Sequence, residues 1–153
     1  MLFLLFQLGK DGYALDAGQV VEILPFLNLT PIPKSPRGVA GIFNYRGTPV
    51  PAIDLSDLTL GRPASMRLGT RIILVRYAPE DGGGHLLGLI AEKVTETLRR
   101  EPEDFIPSGV TNEATPYLGS VTVDARGLIQ RVEVNSLLPP SVRDLLFKQP
   151  VKT

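Results

Sequence analysis

The 153-residue sequence contains no cysteine, a single histidine and no excess of either charge. Without cysteine, neither a disulfide nor a thiolate metal site can form. Sixteen basic residues balance sixteen acidic ones, so the chain lacks the positive excess typical of proteins that bind nucleic acid or anionic lipid. The opening run MLFLLFQL is too short to span a bilayer and has no basic region before it. These absences argue against a disulfide-stapled, nucleic-acid-binding or membrane-spanning protein and fit a reducing cytosol.

Glycine and proline are abundant instead, with 15 and 14 residues spread along the chain. Many turns between short apolar runs predict a mainly β fold. The runs amount to about nine or ten strands in two similar groups, and a single sheet of that size tends to curl or split. We therefore predict two small β-barrels packed side by side in one domain over residues 1–148. Their division would lie near residues 56–69, which we expect to form a helical turn and a loop, and residues 149–153 would be a frayed tail.

A short helix is predicted directly after the second strand. Asp16 is a suitable N-cap, and apolar residues follow it at helical spacing. These residues are Ala17, Val20, Val21 and Leu24. Pro25 should end the helix, because the residue before proline avoids the α region. Glu22 would then point away from the apolar stripe, on the polar face of the helix.

The stretch GIFNYRGTPVPAIDL, residues 41–55, predicts a hairpin with its turn at Arg46 and Gly47. Pro49 and Pro51 remove two N–H groups from the same side of the second strand, which is typical of an edge strand. Spacing alone favours an exposed turn residue at Arg46. The alternative is an arginine held by a carboxylate and presented to a protein partner, since its planar guanidinium pairs well with carboxylates.

Two hairpins, a separate strand, a loop and a helix complete the predicted elements. One hairpin joins Thr70–Tyr77 to Leu86–Glu92, and a separate strand covers Val94–Arg100. A long surface loop over residues 101–116 precedes a second hairpin, formed by Tyr117–Asp124 and Leu128–Val134. Ser141 would cap a short C-terminal helix.

No catalytic or metal site is predicted. His85 follows three glycines and lacks the G-x-S-x-G context of a serine hydrolase, so we expect an exposed loop residue. Glu101, Glu103 and Asp104 lack the spacing of converging cation ligands and should be solvated.

Four stretches carry a resemblance to the CheW family of chemotaxis coupling proteins. They cover residues 3–24, 30–55, 85–100 and 117–138, and together span about residues 2–138. The second stretch is the most specific, because it contains a proline-rich loop, the pattern G-x-x-N-x-R-G and a strand ending in Asp-Leu.

The resemblance implies two intertwined five-stranded SH3-like or OB-like barrels that share a hydrophobic interior. The N-terminal strands could cross to the other barrel. It also implies a cytoplasmic adaptor without catalysis or cofactor. Such proteins bind the cytoplasmic tip of a methyl-accepting chemoreceptor and the CheW-like regulatory domain of a CheA-type histidine kinase. They do so in ring-like arrays under the membrane, without inserting into it, and self-association into rings is plausible.

The resemblance also carries over site residues. The matched partner-binding positions are Val20, Glu22, Asn44 and Arg46, and the matched structural turn positions are Gly41 and Gly47. Within them, Glu22 and Arg46 match a charged pair that matters for signalling. The chain departs from the family in having Tyr45 in place of a common leucine, and Val134 and Asn135 near a frequent aspartate.

The sequence alone leaves three other interpretations open. The chain could be a severed CheW-like regulatory domain of the kinase, although Met1 directly before the first strand favours a free-standing adaptor. Double barrels also occur in nucleic-acid-binding modules, which the neutral charge argues against. A small enzyme is disfavoured by the single histidine and the missing cysteine.

Overall fold

The structure is a computed structural model that describes residues 1–79, 84–110 and 112–147. Residues 80–83 of the loop predicted between Tyr77 and Leu86, and the predicted frayed tail at 149–153, lie outside the described residues.

The described residues form nine β-strands and two short α-helices, which confirms the predicted mainly β fold. The strands are β1 (Leu2–Leu8), β2 (Asp11–Asp16), β3 (Val20–Pro25), β4 (Val39–Tyr45), β5 (Thr48–Asp54), β6 (Arg71–Tyr77), β7 (His85–Arg99), β8 (Leu118–Asp124) and β9 (Gly127–Val132). The helices are α1 (Leu55–Leu60) and α2 (Pro140–Leu146), and single 3₁₀ turns cover Ala17–Gln19, Pro102–Asp104 and Val134–Ser136. Neither α-helix is long and apolar enough to cross a membrane, and the same holds for every helical segment of the described chain.

The strands form two five-stranded sheets that share β7. The first sheet has the order β3-β6-β7-β5-β4, and the second has the order β7-β1-β2-β9-β8. The N-terminal hairpin β1–β2 therefore lies in the second sheet, where β2 pairs in parallel with β9. The backbone pairing of the described strands leaves both sheets open, so the word barrel applies only loosely.

The two strands predicted at Leu86–Glu92 and Val94–Arg100 are one continuous strand, β7, and the prediction of a break was wrong. Residues 85–91 pair with β6, and residues 92–99 pair with β1. Lys93 has a φ of +48° at the point where β7 passes from one sheet to the other. A single residue in the left-handed region redirects the strand without ending it.

One apolar core connects the two sheets. It combines side chains of β1 and β2 with side chains of β5, β6 and β7 from the first sheet. Leu4, Phe6 and Leu8 of β1 face this core, whereas Phe3 and Leu5 face a smaller cluster with Phe105. Burial on both faces explains why the first strand is an uninterrupted apolar run rather than an alternating one.

The helix predicted after the second strand is mostly absent. Asp16 does cap a helical turn, since its carboxylate accepts a hydrogen bond from the Gly18 N–H at 2.8 Å. That turn is a single 3₁₀ turn, and Val20–Pro25 continues as strand β3 paired with β6. Val20, Val21 and Ile23 are β-branched and favour strands, and the pairing with β6 overrides the helical spacing. Glu22 therefore projects from a strand and not from a helix.

The hairpins β4–β5 and β8–β9 form where predicted. Strand β5 pairs with β7 only at Ala52–Asp54, which leaves the side at Pro49 and Pro51 without a second neighbour among the described strands. Helix α1 occupies the start of the predicted helical turn. Pro139, not Ser141, is the N-cap of α2, with Pro140 in its first turn. Pro140 suits the first helical position, because the N–H group that proline lacks has no partner within the helix there.

The prediction of His85 as a loop residue was wrong. His85 is the first residue of β7 and pairs with Tyr77. Its ring stacks on Phe147, with 4.3 Å between ring centroids, and Phe147 in turn stacks on Tyr77 at 5.8 Å. The three rings join the end of α2 to the β6–β7 hairpin.

Candidate functional site

The β4–β5 turn presents Arg46 to solvent. Arg46 and Gly47 have φ values of +51° and +88°, and two consecutive positive φ values are typical of a type I′ hairpin turn. The Asn44 side-chain oxygen accepts a hydrogen bond from the Gly47 N–H at 2.7 Å. Asn44 therefore stabilises the turn, and glycine supplies a conformation that other residues adopt only with strain.

Glu22 receives two hydrogen bonds on one carboxylate oxygen. The Arg46 Nη2 donates to Glu22 Oε1 at 3.1 Å, and the Tyr45 hydroxyl donates to the same oxygen at 2.8 Å. The Arg46 guanidinium also lies over the Tyr45 ring, 5.1 Å from its centroid. We call Glu22, Tyr45 and Arg46 the Glu22 cluster. Each of its members contacts the other two.

The Glu22 cluster lies where the first sheet fails to close. Glu22 is on β3 and Tyr45 is on β4, and these strands are the two edges of that sheet. Side chains therefore link two edges that the backbone pairing of the described residues leaves apart. The position makes the cluster a junction between the strands that bear the predicted partner-binding residues.

The charged side chains of this cluster are exposed, so they are available to a partner and contribute little to stability. The Arg46 side chain is 75% exposed and that of Glu22 is 36% exposed. A solvent-exposed ion pair contributes only about 0–1 kcal/mol to folding. The hydrogen bond to Glu22 is the main cause that raises the pKa of Tyr45 above its ordinary value, despite the opposing charge of Arg46. The hydroxyl therefore keeps its proton and remains a donor.

Apolar side chains are exposed on β3 and just beyond it. Val21, Ile23 and Phe26 are exposed large hydrophobic residues. Val20, by contrast, is half-buried and packs against the shared core. Strand β3 and the residue after it thus carry both a member of the charged cluster and an exposed apolar strip, with Ile23 projecting from the face opposite Glu22. Charged and exposed apolar side chains along one edge strand suit a protein interface better than a small-molecule pocket.

The predicted site residues thus fall into distinct places. Glu22 and Arg46 are in contact, Asn44 supports the turn, and Val20 belongs mainly to the core. The assignment of Gly41 to a turn was wrong, because Gly41 lies within β4 at a register shift. Tyr45 was considered only as a departure from the family pattern, and its hydroxyl next to a turn arginine was the available signal for a hydrogen-bonding role.

A second group of charged side chains lies at the turn of the β8–β9 hairpin. Arg126 Nη2 bonds Glu96 at 2.8 Å and Asp124 at 3.2 Å, and so ties the β8–β9 turn to β7. The backbone N–H of Arg126 is the main cause that lowers the pKa of Asp124. Within the described residues, no group of three or more histidine or acidic side chains could hold a metal ion.

The model of the CheW-like domain matches residues 2–140 of the chain. The chain belongs to the CheW-like domain family. It is 28% identical over 138 residues to the chemotaxis protein CheW of Klebsiella aerogenes, covering 89% of this chain and 80% of that protein. It is 27% identical over 112 residues to protein FrzA of Myxococcus xanthus, covering 73% and 67% of the two chains.

The fold agrees with this membership. The crystal structure of the scaffolding protein TtCheW from Thermoanaerobacter tengcongensis superposes with a TM-score of 0.80 at 25% identity, covering 92% of this chain and 89% of TtCheW. The predicted CheW-like fold class is therefore confirmed, with each five-stranded sheet in place of a closed barrel.

Proposed function

We propose that this chain is a non-catalytic adaptor that couples methyl-accepting chemoreceptors to a CheA-type histidine kinase. The main support is the family match over residues 2–140, with relatives named as chemotaxis protein CheW. The adaptor would act in the cytoplasm and be recruited to receptor arrays at the inner face of the membrane. Its pathway would be chemotaxis or a related chemosensory response.

The Glu22 cluster and the apolar strip along the same edge strand would together contact the receptor tip. Val21 and Ile23 supply apolar area for the helices of the tip, in the manner of a helix packing against an apolar surface. The charges of Glu22 and Arg46 would set orientation and register, which is the usual contribution of charged groups in an interface. Val20 and Asn44 would act behind this surface, through the core and the turn. The kinase regulatory domain would bind at an end of a sheet, and assembly into rings remains part of the proposal.

The first prediction concerns Arg46. The substitution Arg46→Ala should weaken binding of a receptor cytoplasmic fragment by about thirtyfold, the loss typical of an arginine hot spot. The free energy of unfolding should change by no more than about 1 kcal/mol, because the side chain is exposed. Calorimetric titration with the fragment and thermal unfolding of the same preparations measure both quantities.

Arg126→Ala is the matched control. Arg126 is also an exposed, ion-paired arginine, with a side chain 58% exposed, but it lies in the β8–β9 turn of the second sheet. Its substitution should leave receptor affinity unchanged. Wild-type affinity in a folded Arg46→Ala variant would contradict the proposed site. If the wild-type protein bound neither the fragment nor the kinase, the proposed function itself would be wrong.

A further inference from the structure

Tyr45 makes contacts that reach both charged members of the cluster. Its hydroxyl donates to Glu22 Oε1, and its ring lies beneath the Arg46 guanidinium. Arg46 donates to that same oxygen. The single residue at the end of β4 therefore holds a carboxylate of β3 on one side and a turn cation on the other.

We propose that Tyr45 is a specificity-determining residue that positions Glu22 and Arg46 for the partner bound at this surface. The inference rests on the proposed function, because the partner is taken to be the receptor tip. Long charged side chains at an interface lose rotamer freedom on binding, and this loss weakens affinity unless it has occurred beforehand. Tyr45 restricts both side chains in the free protein.

The arrangement of Glu22 and Arg46 also defines which chemical groups of a partner fit this surface. Both internal hydrogen bonds use Glu22 Oε1, and none of the hydrogen bonds among the described residues uses Oε2. The Arg46 guanidinium has further N–H groups beyond the Nη2 contact, and its side chain is largely exposed. A carboxylate acceptor thus lies beside guanidinium donors. The complementary partner presents a donor next to an acceptor, as an asparagine or glutamine side chain on a helix does.

Two substitutions separate the contributions of the hydroxyl and the ring. Tyr45→Phe removes the hydrogen bond to Glu22 and keeps the ring beneath Arg46. Tyr45→Leu removes both contacts. We expect receptor-fragment affinity to fall by about threefold to tenfold for Tyr45→Phe and further for Tyr45→Leu, with little change in thermal stability.

A measurement without any partner tests the positioning directly. ¹⁵N relaxation of the Arg46 side-chain Nε should report greater motion in both variants than in the wild-type protein. Glu22→Gln should lower the pKa of the Tyr45 hydroxyl, because the carboxylate acceptor that raises this pKa is gone. An NMR titration of the Tyr45 ring measures the change.

The outcomes are distinguishable. Unchanged Arg46 order and unchanged affinity in Tyr45→Phe and Tyr45→Leu would overturn the role of Tyr45 while leaving the adaptor function intact. Increased Arg46 motion together with undiminished affinity would also overturn it, since positioning would then not determine binding. A wild-type protein with an ordered Arg46 that fails to bind the receptor fragment would contradict the proposed function instead. Reduced affinity with increased Arg46 motion and an unchanged melting temperature would support the inference.

Discussion

Substituting Gly41 by alanine should reduce the free energy of unfolding by about 2–5 kcal/mol. Gly41 has a φ of +148°, a region that side chains rarely adopt, and an added Cβ would lie 2.5 Å from the Thr30 carbonyl oxygen. That oxygen cannot withdraw easily, because Thr30 exchanges two backbone hydrogen bonds with Ile42, each of 2.8 Å. The alanine variant must therefore break this bridge or distort β4. Urea unfolding followed by circular dichroism measures the loss.

Gly47→Ala is the control for this prediction. Gly47 also has a positive φ, of +88°, but no atom lies within 4 Å of an added Cβ. Only the backbone conformation opposes alanine there, so the loss should be about 1–2 kcal/mol. Equal losses at the two positions would show that the contact with Thr30 is unimportant and that φ alone decides.

Substituting Asp54 by alanine should also destabilise the fold strongly, by about 2–4 kcal/mol. Asp54 is buried at the end of β5, where its carboxylate accepts from the Asp57 N–H at 3.2 Å and from the Ala64 N–H at 3.0 Å. The first bond caps α1, and the second fixes the segment that follows this helix. Alanine would leave both N–H groups without this acceptor. Thermal and urea unfolding should both report the loss.

Asp54→Asn separates hydrogen bonding from charge. Oδ1 of Asp54 reaches both N–H groups, at 3.2 Å to Asp57 and 3.3 Å to Ala64, so the asparagine oxygen can replace it. Burial raises the pKa of Asp54 above its ordinary value and outweighs the hydrogen bonds that lower it. The folded state therefore binds this proton more tightly than the unfolded state does.

The sign of the pH dependence follows from that raised pKa. The contribution of Asp54 to stability is fully present below its unfolded pKa and declines as pH rises through its folded pKa. The stability advantage of wild type over Asp54→Asn should therefore be larger near pH 3 than near pH 7. An advantage that grows with rising pH would show that the ionised carboxylate is the favoured form.

The sequence predicted the hairpins most reliably among the elements of the fold. Turn residues between short apolar runs, at Arg46–Gly47 and at residues 125–127, placed two hairpins correctly, because turn chemistry acts between neighbours in the chain. The abundance of glycine and proline correctly indicated a mainly β fold. The pattern at residues 41–47 pointed to the family, which the match over residues 2–140 confirms.

Where pairing is between distant segments, the same reasoning failed. Residues 20–25 combine helical spacing with the β-branched residues Val20, Val21 and Ile23, and only the pairing with β6 decides for a strand. Lys93 reads as an ordinary polar residue, yet its left-handed backbone lets β7 serve both sheets. His85 was assigned to a loop because it follows three glycines, whereas its pairing with Tyr77 and its stacking on Phe147, 62 positions later in the chain, depend on the tertiary structure.

The sequence by itself determined the β-rich class, the position of the Arg46 turn and the family. Only the tertiary structure decided that Glu22 lies on the opposite edge of the same sheet and that Tyr45 and Arg46 meet on one of its oxygens. The reason is physical: turns arise from interactions between near neighbours, whereas the cluster depends on which strands form the two edges of the first sheet. Those edges are set by the pairing of β3 with β6 and of β5 with β7, strands that are distant in the chain.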